Sequence, residues 1–239
     1  MMERIAEASL RPMARITGVV YLLYFLTTVS GEFFVRGMIV SSDPAATAAN
    51  ILAHERLFRL SASVGLIATG LYIALTVLFY GLFKPVNKTV ALLAAFFSLA
   101  GCVIQACGSL FRVAPFVILE GSPYLSAFKV DQLQAMAMMS IKLNVQAAYI
   151  SLVFFGMFNS LIGYLIFRST FLPRILGVLM ALAGVGWLIF LSPLENRLST
   201  YLKVLGFVAE LSLCLWLLVM GVNVQRWEEK VSAWRVSGV

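Results

Sequence analysis

Long apolar blocks separated by short polar segments dominate the pattern of this chain. Each block is roughly 20 residues long, enough for a helix rising 1.5 Å per residue to cross a hydrocarbon core of about 30 Å. The blocks cover approximately residues 16–38, 57–83, 89–111, 143–167, 174–191 and 200–222. No ten-residue alternation of apolar and polar positions recurs, so the strands of a membrane barrel are not expected. The pattern therefore predicts an all-α polytopic membrane protein with six transmembrane helices.

Two of the connections carry signals for short helices at the membrane surface. After the first span, Asp43 precedes Pro44, which is the order of an N-cap residue and a proline at the first helical position. After the third span, Asp131 can cap a Met-rich stretch between residues 121 and 142. The third span can also extend, with a disturbance at Pro115, as far as Leu119. We therefore expect interfacial helices in the outer connections that follow the first and third spans.

Composition supports a membrane protein made of one domain. Of the 239 residues, 61% are hydrophobic and 12% are charged, whereas soluble domains carry about 25% charged residues. Six spans use about 130 residues, so no separate soluble domain fits, and we expect a single domain over residues 1–239. Thr28-Val29-Ser30 could imitate a signal cleavage site, but the apolar pattern continues beyond it and favours a retained span.

The net charge of +7 is better explained by topology than by nucleic acid, because the 18 Lys and Arg form no basic stripe. Of these 18 residues, 10 lie in the N-terminal segment, the turns at 84–88 and 168–174, and the C-terminal segment. Cytoplasmic loops of membrane proteins are enriched in Lys and Arg. The sequence thus predicts cytoplasmic N- and C-termini, with membrane lipids rather than nucleic acid as partners.

Few residues are suited to metal binding or catalysis. The single histidine, His54, lies in a connection, and Cys102, Cys107 and Cys214 lie in apolar blocks without paired spacing. These residues give no basis for a zinc, haem or other cofactor site. The sequence also lacks GxSxG and HExxH motifs, so no catalytic residue is assigned and an enzymatic function is disfavoured, though not excluded.

Polar residues of the spans gather in one leaflet, the outer one in the predicted topology. They are Glu32, Arg36, Arg59, Gln105, Arg112, Asn144 and Gln146. If these side chains point inward, they line an outward-facing polar cavity that could bind a ligand. Alternatively, Glu32 pairs with Arg36 four residues later, and the arginines extend to lipid headgroups.

Glu210 stands alone near the middle of the last span. A charge at that depth costs roughly 2.5 to 3.5 kcal/mol on insertion scales, so the group should be paired, protonated or reached by water. By depth, Gln105 or Arg112 is the expected partner, and we add Glu210 to the candidate ligand-binding residues. Asn159 is interpreted as an amide that joins helices, and Tyr21 and Trp187 as interface anchors.

Two non-enzymatic functions remain open. The first is a binding or transport-like protein for a small molecule, a lipid or an ion. The second is a partner or sensor subunit whose polar residues are structural. For the second, two small-residue stripes could contact another helix, either within the chain or in a homo-oligomer or partner subunit. The stripes are Gly177, Ala181 and Gly184, and Ser61, Gly65 and Ala68.

Several motifs resemble a bacterial multi-pass family known as domain of unknown function 4386. They are Gly31-Glu32-Phe33-Phe34-Val35-Arg36-Gly37, Asp43-Pro44-Ala45-Ala46-Thr47, Phe58-Arg59-Leu60, Lys84-Pro85-Val86-Asn87-Lys88-Thr89, Phe154-Phe155-Gly156 and Leu172-Pro173-Arg174-Ile175-Leu176-Gly177. The resemblance implies a bacterial inner-membrane location but no activity. Members often carry a histidine two residues after Phe-Phe-Gly, where this chain has Phe158.

Overall fold

The structure is a computed structural model that describes residues 2–192 and 195–236, and the described residues form helices without strands. Its α-helices are α1 (Met2–Val35), α2 (Pro44–Ala53), α3 (Glu55–Phe83), α4 (Lys88–Leu119), α5 (Val130–Ser169), α6 (Arg174–Leu188), α7 (Glu195–Val219) and α8 (Val224–Val236). Two short 3-10 turns lie at Pro123–Leu125 and Ile189–Leu191. The prediction of an all-helical chain is confirmed.

Five helices among the described residues are long and apolar enough to cross a membrane, namely α1, α3, α4, α5 and α7. The multi-pass architecture is thus supported at the level of helix length and composition. The exception is the predicted span at 174–191. It consists of the 15-residue helix α6 and a 3-10 turn, because Pro173 precedes the helix and Ser192 follows the turn.

The connection after the first span folds as expected. Asp43 Oδ1 accepts a hydrogen bond from the backbone nitrogen of Ala46 at 2.9 Å, and Pro44 is the first residue of α2. α2 is further fixed by Asn50, whose Nδ2 donates to the carbonyl of Met38 at 3.2 Å. The cap and the proline therefore determine this helix in the way the sequence indicates.

The connection after the third span differs from the prediction of a separate interfacial helix. The Met-rich stretch is the beginning of α5, which continues for 40 residues to Ser169, a length of about 60 Å. The residue that caps its start is Gln132, whose Oε1 accepts from the backbone nitrogen of Lys129 at 2.9 Å. No proline interrupts the chain between residues 130 and 169, so nothing in the backbone ends the helix earlier. α4, in contrast, continues through Pro115 to Leu119.

The chain divides into two compact units, each built from parts of the long helices. The first unit comprises residues 1–23, 71–102 and 150–239. Its fully buried side chains include Leu75, Phe79, Phe158, Leu165 and Met180. The ring of Tyr21 meets that of Phe79 edge-on at 5.9 Å between centroids, a favourable aromatic geometry.

The second unit comprises residues 24–70 and 103–149. Its buried core contains Val35, Met38, Ile51, Phe58, Phe116 and Ile141. The rings of Phe58 and Phe116 join α3 to α4 at a centroid distance of 5.5 Å. A single domain over residues 1–239 stays a prediction.

Candidate functional site

Glu210 on α7 has an uncharged partner. The Nδ2 of Asn159 on α5 donates to Glu210 Oε1 at 2.8 Å. The expected partners, Arg112 or Gln105, belong to the second unit, and their pairing with this carboxyl stays a prediction. Depth along the chain suggested those partners, but helix depth does not reveal which faces of two helices meet. The amide interpreted as a simple joint between helices is the residue that contacts the acid.

Two further helices contribute to this site. The side chains of Tyr21 on α1 and Trp187 on α6 also hydrogen-bond to the Glu210 carboxyl. Asn159 is fully buried, and its Oδ1 has no hydrogen-bond partner among the described residues. We call Tyr21, Asn159, Trp187 and Glu210 the carboxyl–amide site. It brings together four helices of the first unit and leaves one buried acceptor unsatisfied.

Gly18 allows α1 and α7 to approach closely beside the carboxyl–amide site. A Cβ at Gly18 would lie 2.6 Å from the backbone nitrogen of Leu218, so a larger residue does not fit without movement. Cys214, four residues after Glu210 on α7, places its Sγ 3.6 Å from the Gly18 carbonyl oxygen. Tyr21 follows Gly18 by three residues on α1, and residues three or four apart share a helix face. The close approach therefore brings Tyr21 to Glu210.

Glycines also join α5 to α6. A Cβ at Gly163 would lie 2.5 Å from the backbone nitrogen of Ala181, and one at Gly184 would lie 2.5 Å from the carbonyl oxygen of Gly156. Asn159 lies between Gly156 and Gly163 along α5. The small-residue stripe of α6 is thus used inside the first unit, where it packs α6 against the helix that carries Asn159.

In the second unit, Arg59 is held by two acidic residues. Its Nε lies 2.7 Å from Glu55 Oε1, and its Nη2 lies 2.8 Å from Glu120 Oε1. The guanidinium also rests 4.1 Å from the centroid of the Phe116 ring, close enough for a cation–π interaction. Arg59 therefore joins α3 to the end of α4 and has two short ion pairs.

Arg112 on α4 has weaker contacts. Its Nη2 donates to Ser61 Oγ at 3.2 Å, and its Nη1 lies 3.8 Å from Glu32 Oε1. The Nε is buried without a hydrogen-bond partner among the described residues. Glu32 thus pairs with Arg112 rather than with Arg36, the residue four positions later on its own helix. Two of the predicted charged residues are brought together here.

The other predicted residues have separate surroundings. Asn144 donates through Nδ2 to the carbonyl of Gly108 at 2.9 Å and so joins α5 to α4. Arg36 and Gln146 are exposed, and Gln105 is half-buried on α4. A common outward-facing cavity lined by these side chains stays a prediction.

A family model described as Domain of unknown function (DUF4386) matches residues 16–221. The chain belongs to the DUF4386 family. An uncharacterised protein of Archaeoglobus fulgidus is 29% identical to this DUF4386 protein over 152 residues, which are 62% of this chain and 76% of the relative. No solved structure matches this chain. These comparisons confirm the family resemblance and transfer no activity to the chain.

The sequence of this DUF4386 protein does not identify two members of the carboxyl–amide site, because Tyr21 and Trp187 resemble interface anchors. A signal was present nonetheless. Tyr21 follows Gly18 by three residues, and Trp187 follows Gly184 by three residues. A large polar aromatic residue one turn beyond a helix-contact glycine therefore lies beside that helix contact. Phe158, at the position where family members often carry a histidine, is buried beside the rings of Tyr72 and Phe79.

Proposed function

We propose that this DUF4386 protein is a non-enzymatic membrane protein of the binding or transport type in which Glu210 binds a proton within the membrane. One observation carries the proposal. Among the residues that the structure describes, the carboxyl has three hydrogen-bond partners, Asn159, Tyr21 and Trp187, none of which is charged. A lone carboxylate among apolar helices is costly. A proton neutralises it without requiring a basic residue.

The unsatisfied amide oxygen supports a proton more specifically than it supports other ligands. Asn159 already donates from Nδ2 to Glu210 Oε1 at 2.8 Å, while its Oδ1 lacks a partner among the described residues. A protonated carboxyl has one O–H donor, and a carboxylate has none. Protonation therefore allows a reciprocal pair in which the amide donates to the carbonyl oxygen and the carboxyl donates to the amide oxygen.

The position of the site suggests how proton binding could affect the rest of the first unit. Its four side chains belong to α1, α5, α6 and α7. Removing the proton takes away the donor to Asn159 and leaves a charge that draws Tyr21 and Trp187 more strongly. The hydrogen bonds that join the four helices thus differ in number or in strength between the two protonation states, as coupling between a bound ion and helix packing requires.

We further propose that α6 completes a sixth crossing, with both termini in the cytoplasm of a bacterial inner membrane. Its 15 residues and the three-residue 3-10 turn together extend about 28 Å, close to the hydrocarbon thickness of about 30 Å. The Lys and Arg distribution favours this orientation. Single cysteines introduced at Asn87 and at Tyr124 test this orientation. Each is placed in a variant that lacks the three native cysteines and is treated with a membrane-impermeant maleimide. The prediction is labelling of Tyr124→Cys but not Asn87→Cys from outside intact cells.

Labelling with dicyclohexylcarbodiimide tests the proton site, because this reagent modifies protonated carboxyl groups in apolar surroundings. The full chain in native membranes is treated between about pH 5 and about pH 9, a range that covers the usual shifts of protein carboxyls. Mass spectrometry then locates the adduct. We expect one adduct on Glu210 whose yield falls as pH rises. Glu210→Gln, which keeps the acceptor for Asn159, should lose it, and Glu120→Gln should retain it.

Three results would contradict the proposal. Absence of the adduct at Glu210 throughout the pH range would mean that the carboxyl does not take up a proton. Protection by sodium ions at constant pH would mean that a metal cation, rather than a proton, occupies the site. A third result, an adduct whose yield does not depend on pH, would indicate a permanently protonated and structural carboxyl.

A further inference from the structure

Two arginines of the second unit, Arg59 and Arg112, differ in how fully their donors are used. Arg59 makes two ion pairs, at 2.7 and 2.8 Å. Arg112 has one long ion pair at 3.8 Å and one hydrogen bond to a neutral hydroxyl, at 3.2 Å. A guanidinium carries five N–H donors. Arg112 therefore keeps donor capacity that the described residues do not use.

The acidic partner of Arg112 is easily displaced. The Glu32 side chain is 74% exposed, whereas that of Arg112 is 20% exposed. At 3.8 Å the two charged atoms are too far apart for a short charge-assisted hydrogen bond. An anion with stronger hydrogen-bonding oxygens can replace the Glu32 carboxylate, which then swings into solvent. Glu32 thus acts as a competitor for the guanidinium.

The surroundings of Arg112 suit an anion that carries hydrocarbon. Leu110 and Phe111 on the same helix are 71% and 41% exposed, and Phe33, next to Glu32, is 70% exposed. On a chain with membrane-spanning helices, exposed apolar side chains of this size are suited to contact acyl chains. Arginine matches the geometry of phosphate oxygens, since two of its N–H groups can bond them in parallel.

We propose that Arg112 binds the phosphate of a phosphoglyceride headgroup, with Ser61 positioning the guanidinium and Glu32 holding the site when the lipid is absent. Ser61 is buried, and its hydroxyl contacts the guanidinium on the side where Nη2 lies. The hydroxyl fixes the guanidinium, and the lipid phosphate takes the position beside Nη1 that Glu32 occupies at 3.8 Å. This inference does not depend on the proton site, which lies in the first unit.

Native mass spectrometry of the full chain in detergent tests the inference with two probes. One probe is phosphatidylglycerol, and the other is an uncharged galactolipid with the same acyl chains. We expect retention of phosphatidylglycerol to exceed that of the galactolipid. Arg112→Gln should weaken phosphatidylglycerol binding about tenfold or more, because charge-assisted hydrogen bonds are lost. Arg59→Gln is the matched control, with the same charge change, and should alter binding by less than about twofold.

Glu32→Gln gives the sharpest result. If Glu32 competes with the phosphate, removing its charge should strengthen phosphatidylglycerol binding by several-fold, whereas a purely structural ion pair would leave binding unchanged or weaker. Arg112→Lys keeps the charge and replaces Arg112→Gln in the test if that variant does not fold. Its affinity for phosphatidylglycerol should lie between those of the unmodified chain and Arg112→Gln. Equal loss in Arg59→Gln and Arg112→Gln would overturn the proposal. Inorganic phosphate that binds to Arg112 while phosphatidylglycerol does not would equally overturn it.

Discussion

The two units differ in the partners that they provide for ionisable side chains among apolar helices. In the first unit, the single acid of the carboxyl–amide site is met by an amide, a phenol and an indole. In the second unit, arginines are met by carboxylates, and Arg59 rests on an aromatic ring. The first arrangement can change its charge by binding one proton. The change proposed for the second is the exchange of one charged partner for another.

The difference also concerns packing. The helices around the carboxyl–amide site approach through glycines such as Gly18 and Gly163, where an added Cβ would meet backbone atoms at 2.6 and 2.5 Å. In the second unit, a Cβ at Gly65 would meet no described atom within 4 Å. The neutral site is thus enclosed by close helix contacts. The ion pairs of Arg59 lie at exposed positions, with about half of each side chain accessible.

The largest effect is expected from Gly163→Ala, which would break the enclosure of the neutral site. The new methyl group would overlap the backbone of Ala181, and backbone cannot move aside as a side chain can. We expect a loss of about 3 kcal/mol in the free energy of unfolding, at the upper end for added core volume. Thermal or SDS-induced unfolding of the purified chain measures it.

Gly65→Ala is the matched control for that experiment. Its methyl group enters open space, and alanine favours a helix over glycine by up to about 1 kcal/mol. It should therefore leave stability unchanged or slightly raised. If both variants lose the same amount, the close contact between α5 and α6 does not determine the stability of the first unit.

A smaller effect is expected from Asn159→Leu, which removes the neutral partner of the acid. Leucine has a similar volume but cannot donate to Glu210, so the carboxyl loses its 2.8 Å hydrogen bond. Leaving a buried polar group unsatisfied costs about 2 kcal/mol. The double variant Asn159→Leu, Glu210→Leu should recover most of the loss, because both polar groups are then absent. Purely additive losses would show that the two side chains do not interact.

Sequence predicts the helices of this chain better than it predicts their partners. The start of α2 follows from Asp43 and Pro44 alone, since a cap and a proline act locally. The continuation of α5 through 40 residues does not follow as easily, because polar residues at its start look like a connection. Apolar periodicity is also weak in helices that contact lipid on one side, so the boundary between connection and span is blurred.

The candidate site shows the same limit. The depth of Glu210 identified it as a group that needs a partner, and this expectation holds. The identity of that partner depends on which helix faces meet, and the meeting of α5 and α7 is a tertiary contact between residues 51 positions apart. The pair Glu55 and Arg59, by contrast, has the four-residue spacing of a helix ion pair and is readable from the sequence.

The smallest effect is expected from Arg59→Gln in the second unit. Glu55 and Glu120 are 46% and 54% exposed, and ion pairs at exposed positions contribute little and are screened by salt. In thermal unfolding of the chain in an uncharged detergent, the midpoint should fall less than for Asn159→Leu. The difference from the unmodified chain should also disappear at high salt, whereas the effect of Asn159→Leu should persist. A salt-independent loss as large as that of Asn159→Leu would show that the charged contacts are as well enclosed as the neutral ones, and the contrast between the two units would then be wrong.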